Sequence, residues 1–237
     1  MDIRCPEAEK MDLAEELVAE LEIPTAFTIP IGGGIAINQT VVITWCIIAV
    51  LFILYLILTH GFVTQNPGKR QAAVEAVVLW IQNLIGSNMS EKGKPYLPYL
   101  CSILVFLGVS NIVGIFNVPP PTKDLRTTVA LALMSIILVQ VAAIREKKVS
   151  GWLKGFAEPI KVMLPMNILE LFIKPLSLCM RLFGNIFAAF VIMELVKMVV
   201  PVVLPAALCL YFDLFDGLLQ AYVFVFLTSL YINEAVE

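Results

Sequence analysis

The sequence is poor in charge, since only 15% of its 237 residues are Asp, Glu, Lys or Arg. In an ordinary soluble domain about a quarter of the residues are charged. Hydrophobic residues make up 59% of the chain, and its mean hydropathy is +0.90. The composition excludes an ordinary water-soluble domain and predicts a protein of the lipid bilayer.

Sequence signals for metals, nucleotides and export are also missing. The five cysteines lack the spacing of a zinc site or a disulfide framework, and four of them lie in apolar segments, where a thiol behaves as a small hydrophobic group. A Walker-type glycine loop is absent, so the chain alone is not expected to hydrolyse a nucleotide. We therefore expect no metal, no cofactor, no nucleic-acid partner and, without a basic n-region, no cleavable signal peptide.

Long apolar runs predict five membrane-spanning helices, because a helix needs about 20 mostly apolar residues to cross a bilayer. Residues 70–89 combine charged residues with apolar ones at helical spacing, which predicts an amphipathic helix at the membrane interface. The alternative, a sixth span, would place Arg70 and Glu75 in the bilayer. The predicted fold class is an all-α polytopic membrane protein whose last two helices form a long, tilted hairpin. Its spans are about 41–62, 98–118, 125–145, 162–199 and 203–233.

Basic residues are concentrated in two of the predicted loops. The segments after the first and third spans hold most of the Lys and Arg, whereas the loop between the second and third spans has only Lys123 and Arg126. The positive-inside rule places the two basic segments in the cytoplasm. The N-terminus then lies outside and the C-terminus in the cytoplasm. The acidic residues 1–40 form an extracytoplasmic segment before a membrane domain of residues 41–237.

One arginine, Arg181, lies within the apolar stretch LSLCMRLFGNIFAAFVI. A guanidinium does not lose its proton in an apolar setting, and an ionisable residue inside a membrane is by default a candidate functional residue. The alternative is an arginine near a helix end whose side chain reaches the headgroups. At 100° per residue, small and polar residues share its helix face, which suits the close approach of another helix or of water. These residues are Glu170, Lys174, Ser177, Asn185 and Ala188.

The last span has a second face with polar residues. The alternative interpretation is a pair of carboxylates at the outer membrane surface. In an antiparallel hairpin Gln220 comes about level with Arg181. By helical rise Glu170 lies about 16 Å to one side of Arg181, and Glu194 about 20 Å to the other side. Because a fixed positive charge repels cations, this pattern indicates two half-paths that meet at a barrier. The polar residues of the last span, spaced i, i+3 and i+7, are Asp213, Asp216 and Gln220.

Five stretches of the sequence resemble subunit a of the F-type ATP synthase, the stator part of its membrane rotary motor. They follow one another in family order and cover most of the chain, so that only the acidic N-terminal region is unmatched. The most specific features are the arginine followed by LFGN and the late LQAYVF. The stretches are NPGKRQAAVE (66–75), SNIVGIFNVPPPTKDLRTT (110–128), LPMNILE (164–170), KPLSLCMRLFGNIFA (174–188) and LLQAYVFVFLTSLYI (218–232).

The resemblance implies roles for named residues. Arg181 matches the essential arginine of the family, which faces the carboxylate of each passing rotor-ring subunit. Asn185 and Gln220 match its polar neighbours on the last two helices. Asp213 falls where the family has an acidic residue or a histidine in the outer half-channel. Asn111 and Asp124 match polar positions of the outer hairpin. Glu170 and Lys174 lie toward the cytoplasmic half-channel.

One position departs from the pattern of the family. Nine residues after the arginine many bacterial members carry glutamate, whereas this sequence has Phe190. The outer ion path is therefore expected to be built differently, with Asp213, Asp216 and Glu194 compensating for the missing carboxylate.

The resemblance implies an ion-conducting, non-catalytic stator subunit. Two offset half-channels would load and unload the carboxylates of the rotor c-ring, and Arg181 would separate them, so that H⁺ flow turns the ring. The implied partners are the c-ring, the peripheral-stalk subunit b, other ATP synthase subunits and the lipid of the plasma membrane. Na⁺ is the alternative coupling ion. A stand-alone ion transporter would predict an internal repeat, which we do not find, and a structural scaffold leaves the polar residues without a reason.

Overall fold

The structure is a computed structural model of the chain and describes residues 25–29, 35–63, 68–116, 120–155, 164–199, 208 and 210–236. Most of the predicted acidic segment lies outside these residues, as does the turn expected between the last two spans. For some residues within helices, among them Glu194 and Asp213, the backbone alone is described.

Six long helices account for most of the described residues. They are α1 (Gln39–Thr59), α2 (Lys69–Gly86), α3 (Leu97–Ile112), α4 (Leu125–Gly155), α5 (Leu164–Val199) and α6 (Gly217–Val236). A π-helical segment, Leu210–Asp216, leads directly into α6. Five helical segments are long and apolar enough to cross a membrane, which confirms the predicted number of spans. These segments are Gln39–Thr59, Lys94–Ile112, Leu125–Val149, Leu164–Met193 and Leu210–Val236.

The remaining helix, α2, is the one predicted to be amphipathic. Its sequence, KRQAAVEAVVLWIQNLIG, has three charged residues among 18. Ile85 is buried against the rest of the protein, while Val77 and Trp80 are exposed. A helix that starts with charge and exposes aliphatic and aromatic side chains is suited to lie in the headgroup region.

Most side chains of helix α1 are not covered by the rest of the described chain. Its 21 residues carry no charge and extend about 31 Å, which matches a hydrocarbon core of about 30 Å. Only Thr40 and Ile47 of this helix are buried, whereas Trp45 and Phe52 are largely exposed. Exposed apolar side chains over a whole span are stable in a bilayer and would be unfavourable in water.

Helix α5 is longer than a membrane is thick. Its 36 residues extend about 54 Å, so the helix has to tilt or project beyond the hydrocarbon. Pro175 lies inside α5. Because proline has no N–H and removes one backbone hydrogen bond, α5 bends most easily at this position.

The core is formed by α3, α4 and α6, and one face of α5 also contributes buried side chains to it. Helix α6 packs against both α3 and α4, whereas α5 packs chiefly against α4 and touches α6 at few points. Helix α4 continues beyond its predicted end and is kinked at Lys148, where φ is 59°. The largest fully buried apolar side chains are Leu100, Leu107, Leu178, Leu182, Phe224, Val225, Ile232 and Val236.

A short antiparallel hairpin precedes α1, and the sequence analysis did not predict it. Strand β1 (Thr25–Ile29) pairs with β2 (Ile35–Asn38), and Thr25 lies opposite Asn38. Two strands that pair only with each other are marginally stable. The hairpin therefore depends on its connection to the helices, which Asn38 provides through a contact described below.

Polar contacts define two ends of the helix bundle. At the first end α1, α4 and α6 begin and α3 finishes, around Asp124, and we call it the Asp124 end. At the second end the last turn of α6 meets Lys174 of α5 and Ser90 of the α2–α3 connection, and we call it the Lys174 end. Helices α5 and α6 are therefore antiparallel, as predicted.

Candidate functional site

Helices α5 and α6 are joined by a hydrogen bond between two amide side chains. Nδ2 of Asn185 donates to Oε1 of Gln220 at 2.8 Å. Gln220 is only 4% exposed, and its Nε2 has no partner among the described residues. The sequence predicted Gln220 at about the level of Arg181, but the contact lies at Asn185, about 6 Å farther along α5. The predicted meeting of the two polar faces is therefore displaced by about one helical turn.

Arg181 points away from the protein core. Its side chain is exposed and forms no hydrogen bond or ion pair with the described part of the chain. Leu182, the next residue, is fully buried, so the two neighbours face opposite environments. The surface near Arg181 is open, because a Cβ at Gly184 would meet no atom within 4 Å and Ala188 is exposed. The positive charge is thus available to a partner outside this chain.

Asn111 joins three parts of the structure at the Asp124 end. Its Nδ2 donates to the carbonyl of Gly217 at 2.7 Å, and its Oδ1 accepts from Oγ1 of Thr122 at 3.0 Å. Both Asn111 and Thr122 are buried. Gly217 is one turn from Gln220 on α6, so Asn111 lies close to the amide pair. The structure therefore places this predicted residue in a buried polar network.

Asp124 uses both carboxylate oxygens for contacts within the chain. Its Oδ1 accepts from the backbone N–H of Arg126 at 2.9 Å, which caps the start of α4. Its Oδ2 accepts from Oγ1 of Thr40 at 2.9 Å and from Nδ2 of Asn38 at 3.1 Å. Asp124 is only 4% exposed. Its carboxylate thus fastens α1 and the β-hairpin to α4.

The two carboxylates before α6 do not lie on an α-helix. The segment Leu210–Asp216 is a π-helix, which has i→i+5 hydrogen bonds and turns less per residue than an α-helix. The shared face predicted for Asp213, Asp216 and Gln220 assumed 100° per residue, an angle that does not hold within this segment. Asp216 is partly buried and directly precedes Gly217. The side chain of Asp213 lies outside the described residues.

Phe190, where the sequence departs from the family pattern, is covered by a lysine. Nζ of Lys123 lies 3.4 Å from the centroid of the Phe190 ring, within the range of a cation–π contact. Lys123 belongs to the turn Pro121–Lys123, which packs against α5. Helix α5 therefore presents an aromatic ring to a cation at this position. The side chain of Glu194, one turn farther along α5, lies outside the described residues.

At the Lys174 end an ammonium group lies between two carboxylates. Nζ of Lys174 is 3.1 Å from Oε1 of Glu170 and 2.8 Å from Oε1 of Glu234. It also lies 5.2 Å from the centroid of the Tyr231 ring. The lysine side chain is 20% exposed, and the glutamates are 49% and 57% exposed. Ser177, also predicted on this stripe, lies between Lys174 and Arg181 in the sequence and is partly buried.

Three residues of these networks were not predicted from the sequence as site residues. Lys123, Gly217 and Glu234 each contact a partner that is distant in sequence. Helical periodicity predicts which residues share a face but not which face of another helix they meet. Glu234 had a usable signal, since it is a charged residue at the end of an apolar span. Among the described residues no cluster of three or more His, Cys, Asp or Glu could hold a metal ion.

Known proteins are similar in sequence to this chain over most of its length. The family model of the ATP synthase A chain matches residues 41–233. The chain is 35% identical to the sodium ion specific ATP synthase subunit a of Propionigenium modestum, over 86% of this chain and 75% of the relative. It is 36% identical to ATP synthase subunit a 2 of Bradyrhizobium sp. (86% and 91%) and 34% identical to ATP synthase subunit a of Moorella thermoacetica (86% and 94%). The chain therefore belongs to the ATP synthase subunit a family.

Proposed function

We propose that this chain is the ion-conducting stator subunit of the membrane sector of an ATP synthase, and that Arg181 is the barrier between two half-channels. The observation that carries the proposal is the position of Arg181 on an apolar spanning helix, exposed and without an anionic partner in the described chain. An unpaired charge in lipid is costly, so the guanidinium needs a counter-charge from another subunit.

The counter-charge that fits this site is a carboxylate of a rotating ring. A carboxyl group in lipid stays neutral, because burial disfavours its charged form, and it ionises beside a fixed cation. Arg181 would thus favour release of the ion from each rotor carboxyl that reaches it. The open surface at Gly184 and Ala188 allows another helix to approach closely. The proposed partners are the rotor c-ring, the peripheral-stalk subunit b and the other subunits of the complex.

Polar groups on both sides of Arg181 support two separate half-channels. Toward the Asp124 end lie Asn111, the free Nε2 of Gln220 and the partly buried Asp216. Toward the Lys174 end lie the exposed carboxylates of Glu170 and Glu234. A cation that enters from either end meets the guanidinium before it reaches the other end, and such a charge excludes cations. Ions would therefore cross only when carried by the rotor.

The basic residues support a cytoplasmic location for the Lys174 end. Nζ of Lys92 is 2.7 Å from Oε1 of Glu146, so the two basic segments of the sequence lie together at this end. Under the positive-inside rule this end faces the cytoplasm. Helix α1 then starts on the outer side, and α6 finishes in the cytoplasm.

We propose H⁺ as the coupling ion, with Na⁺ as the second candidate. The second candidate is favoured by the relative from Propionigenium modestum, which is named as sodium ion specific. ATP-driven ion pumping by the whole complex in vesicles separates the two. Pumping that needs Na⁺ and persists with a protonophore identifies Na⁺, whereas pumping that a protonophore abolishes in Na⁺-free buffer identifies H⁺.

The stator role is tested by Arg181→Ala in the whole complex. Because the side chain is exposed and lies outside the core, we expect normal assembly, loss of ATP-driven ion pumping and a raised passive ion leak. Arg145→Ala is the matched control, since Arg145 is an exposed arginine on α4, and it should pump at the parental rate. Parental pumping by Arg181→Ala would reject the proposed function.

A further inference from the structure

The last turn of α6 is attached to two different parts of the protein by adjacent residues. Asn233 holds the α2–α3 connection, since its Oδ1 accepts from the Ser90 backbone N–H at 3.0 Å and its Nδ2 donates to the Asn88 carbonyl at 2.6 Å. Glu234 reaches the other way, to Lys174 of α5 at 2.8 Å. Asn233 attaches the end of α6 to the α2–α3 connection. The backbone at Glu234 is therefore held in place, and its ion pair with Lys174 restrains α5.

Arg181 lies between the two polar contacts that connect α5 to α6. Lys174 precedes it by seven residues and Asn185 follows it by four, so the three side chains lie within about 40° of one another around the helix. Lys174 is bound by Glu234 and Asn185 by Gln220. Two contacts on one stripe, one on each side of Arg181, restrain the rotation of α5 relative to α6, in addition to the packing of α5 against α4. They therefore restrain the direction in which the Arg181 side chain leaves α5.

The contact at Lys174 lies next to the proline of α5, where this helix bends most easily. Pro175 follows Lys174 directly and removes a backbone hydrogen bond at this turn. The side chain of Lys174 is 20% exposed, so its ion pairs are screened less by water than those of a fully exposed lysine. The Glu170 pair lies within α5 itself and does not restrain the helix against α6. The restraint between the helices at this end is Glu234.

We propose that Glu234 is a positioning residue for Arg181 and acts through Lys174, without contact with the transported ion. The proposal rests on the proposed stator function of Arg181. The ion pair keeps α5 in a fixed rotation against α6 while the rotor passes, so that the guanidinium meets each rotor carboxylate at the same place. Breaking the pair should weaken the coupling of ion flow to ATP hydrolysis and leave the amount of assembled complex unchanged.

Charge exchange in the whole complex tests the pair. In vesicles, Glu234→Lys and Lys174→Glu should each lower the ratio of ATP-driven ion pumping to ATP hydrolysis by about tenfold or more, since a misplacement of about 1 Å can cost a reaction about 100-fold. The double variant Glu234→Lys, Lys174→Glu should raise the ratio well above that of either single variant, since it rebuilds the pair between α5 and α6, although the new carboxylate at position 174 lies one turn from Glu170. A purely structural role would change the amount of complex and leave this ratio alone.

The control is an ion pair at the same end between the α2–α3 connection and α4, Lys92 with Glu146, in which both side chains are exposed. Glu146→Lys should change the ratio by less than about twofold, because exposed pairs contribute little. A parental ratio in Glu234→Lys, or an assembled double variant that does not recover, overturns the proposal. If Glu234→Lys does not assemble, the isosteric Glu234→Gln decides, and an unchanged ratio overturns the proposal. Pumping by Arg181→Ala would instead reject the stator function itself.

Discussion

Asn111 lies against Gly217 so closely that a side chain at position 217 has no room. The Nδ2 of Asn111 donates to the Gly217 carbonyl at 2.7 Å, and a Cβ at residue 217 would lie 2.9 Å from the Cβ of Asn111. The contact joins α3 to the first residue of α6, directly after the π-helical segment. Close backbone approach of this kind is how small residues join helices within a membrane.

The first prediction compares two helical glycines. Gly217→Ala should destabilise the protein by about 1–3 kcal/mol, because the added methyl group overpacks the contact with Asn111. Gly108→Ala is the matched control on α3, since the atom nearest to its added Cβ, in the Leu218 side chain, is 3.5 Å away at an ordinary contact distance, and it should stabilise α3 by about 0.5–1 kcal/mol. The midpoint temperature of unfolding of the purified complex measures both effects. Equal midpoints for the two variants would contradict the packing at Gly217.

The second prediction concerns the amide pair. Asn185→Leu removes the partner of the buried Gln220 Oε1 and should destabilise the protein by about 1–3 kcal/mol, since a buried acceptor is left unpaired. The double variant Asn185→Leu, Gln220→Leu should regain part of this stability, because both polar groups are then gone. Neither variant should pump ions at the parental rate. A double variant that is less stable than the single variant would show that the two amides do not form a pair.

Local sequence patterns predicted the helices well, because a membrane helix forms its backbone hydrogen bonds within its own segment. A span needs only length and low charge, so α1 and α3 follow directly from their composition. The periodic stripe on α5 also gave the neighbours of Arg181, since a regular helix has a fixed angle per residue. The level predicted for Gln220 was that of Arg181, whereas its hydrogen bond is with Asn185, one turn farther along α5.

Contacts between helices could not be predicted in this way. Glu234 of α6 is the partner of Lys174 because of how α5 and α6 pack. A single sequence does not show how far one helix is shifted along the other or how each is rotated about its axis. The π-helix before α6 was also missed, because a regular α-helix at 100° per residue was assumed for this segment. The angle assumed between Asp213 and Asp216 does not hold for that reason.

The third prediction concerns the carboxylates of the π-helical segment. Asp213→Asn should slow ATP-driven ion pumping without abolishing it, because Asp216 still offers a carboxylate at the Asp124 end. The double variant Asp213→Asn, Asp216→Asn should slow it much further. Glu146→Gln serves as the control for loss of one negative charge, since Glu146 lies at the opposite end. Unchanged pumping in the double variant would reject a role for these residues in the ion path.

The fourth prediction concerns orientation. In a background without the native cysteines, Lys92→Cys should react with an impermeant thiol reagent from the cytoplasmic side, and Arg126→Cys from the outer side. Both positions are exposed and lie at opposite ends of the bundle. Labelling of inverted and right-side-out vesicles distinguishes the sides. If both cysteines react from the same side, the arrangement of α3 and α4 in the membrane is wrong.

The last prediction separates a rotary stator from an arginine that only reaches toward the headgroups. Arg181→Lys should assemble normally, because the side chain is exposed and lies outside the core. It should nevertheless fail to drive ATP synthesis. An ammonium is compact and strongly hydrated and can lose its proton when buried, whereas a guanidinium stays charged and presents a planar fork of donors.

A headgroup-seeking arginine predicts the opposite result, since lysine also extends its charge to the membrane surface. ATP synthesis driven by an imposed ion gradient, normalised to the amount of assembled complex, is the measurement. Arg145→Lys is the control and should synthesise ATP at the parental rate, because its exposed site on α4 needs no planar donor. If Arg181→Lys matches that control, a permanent guanidinium is not required at this position. The barrier between the half-channels would then have to lie elsewhere in the chain.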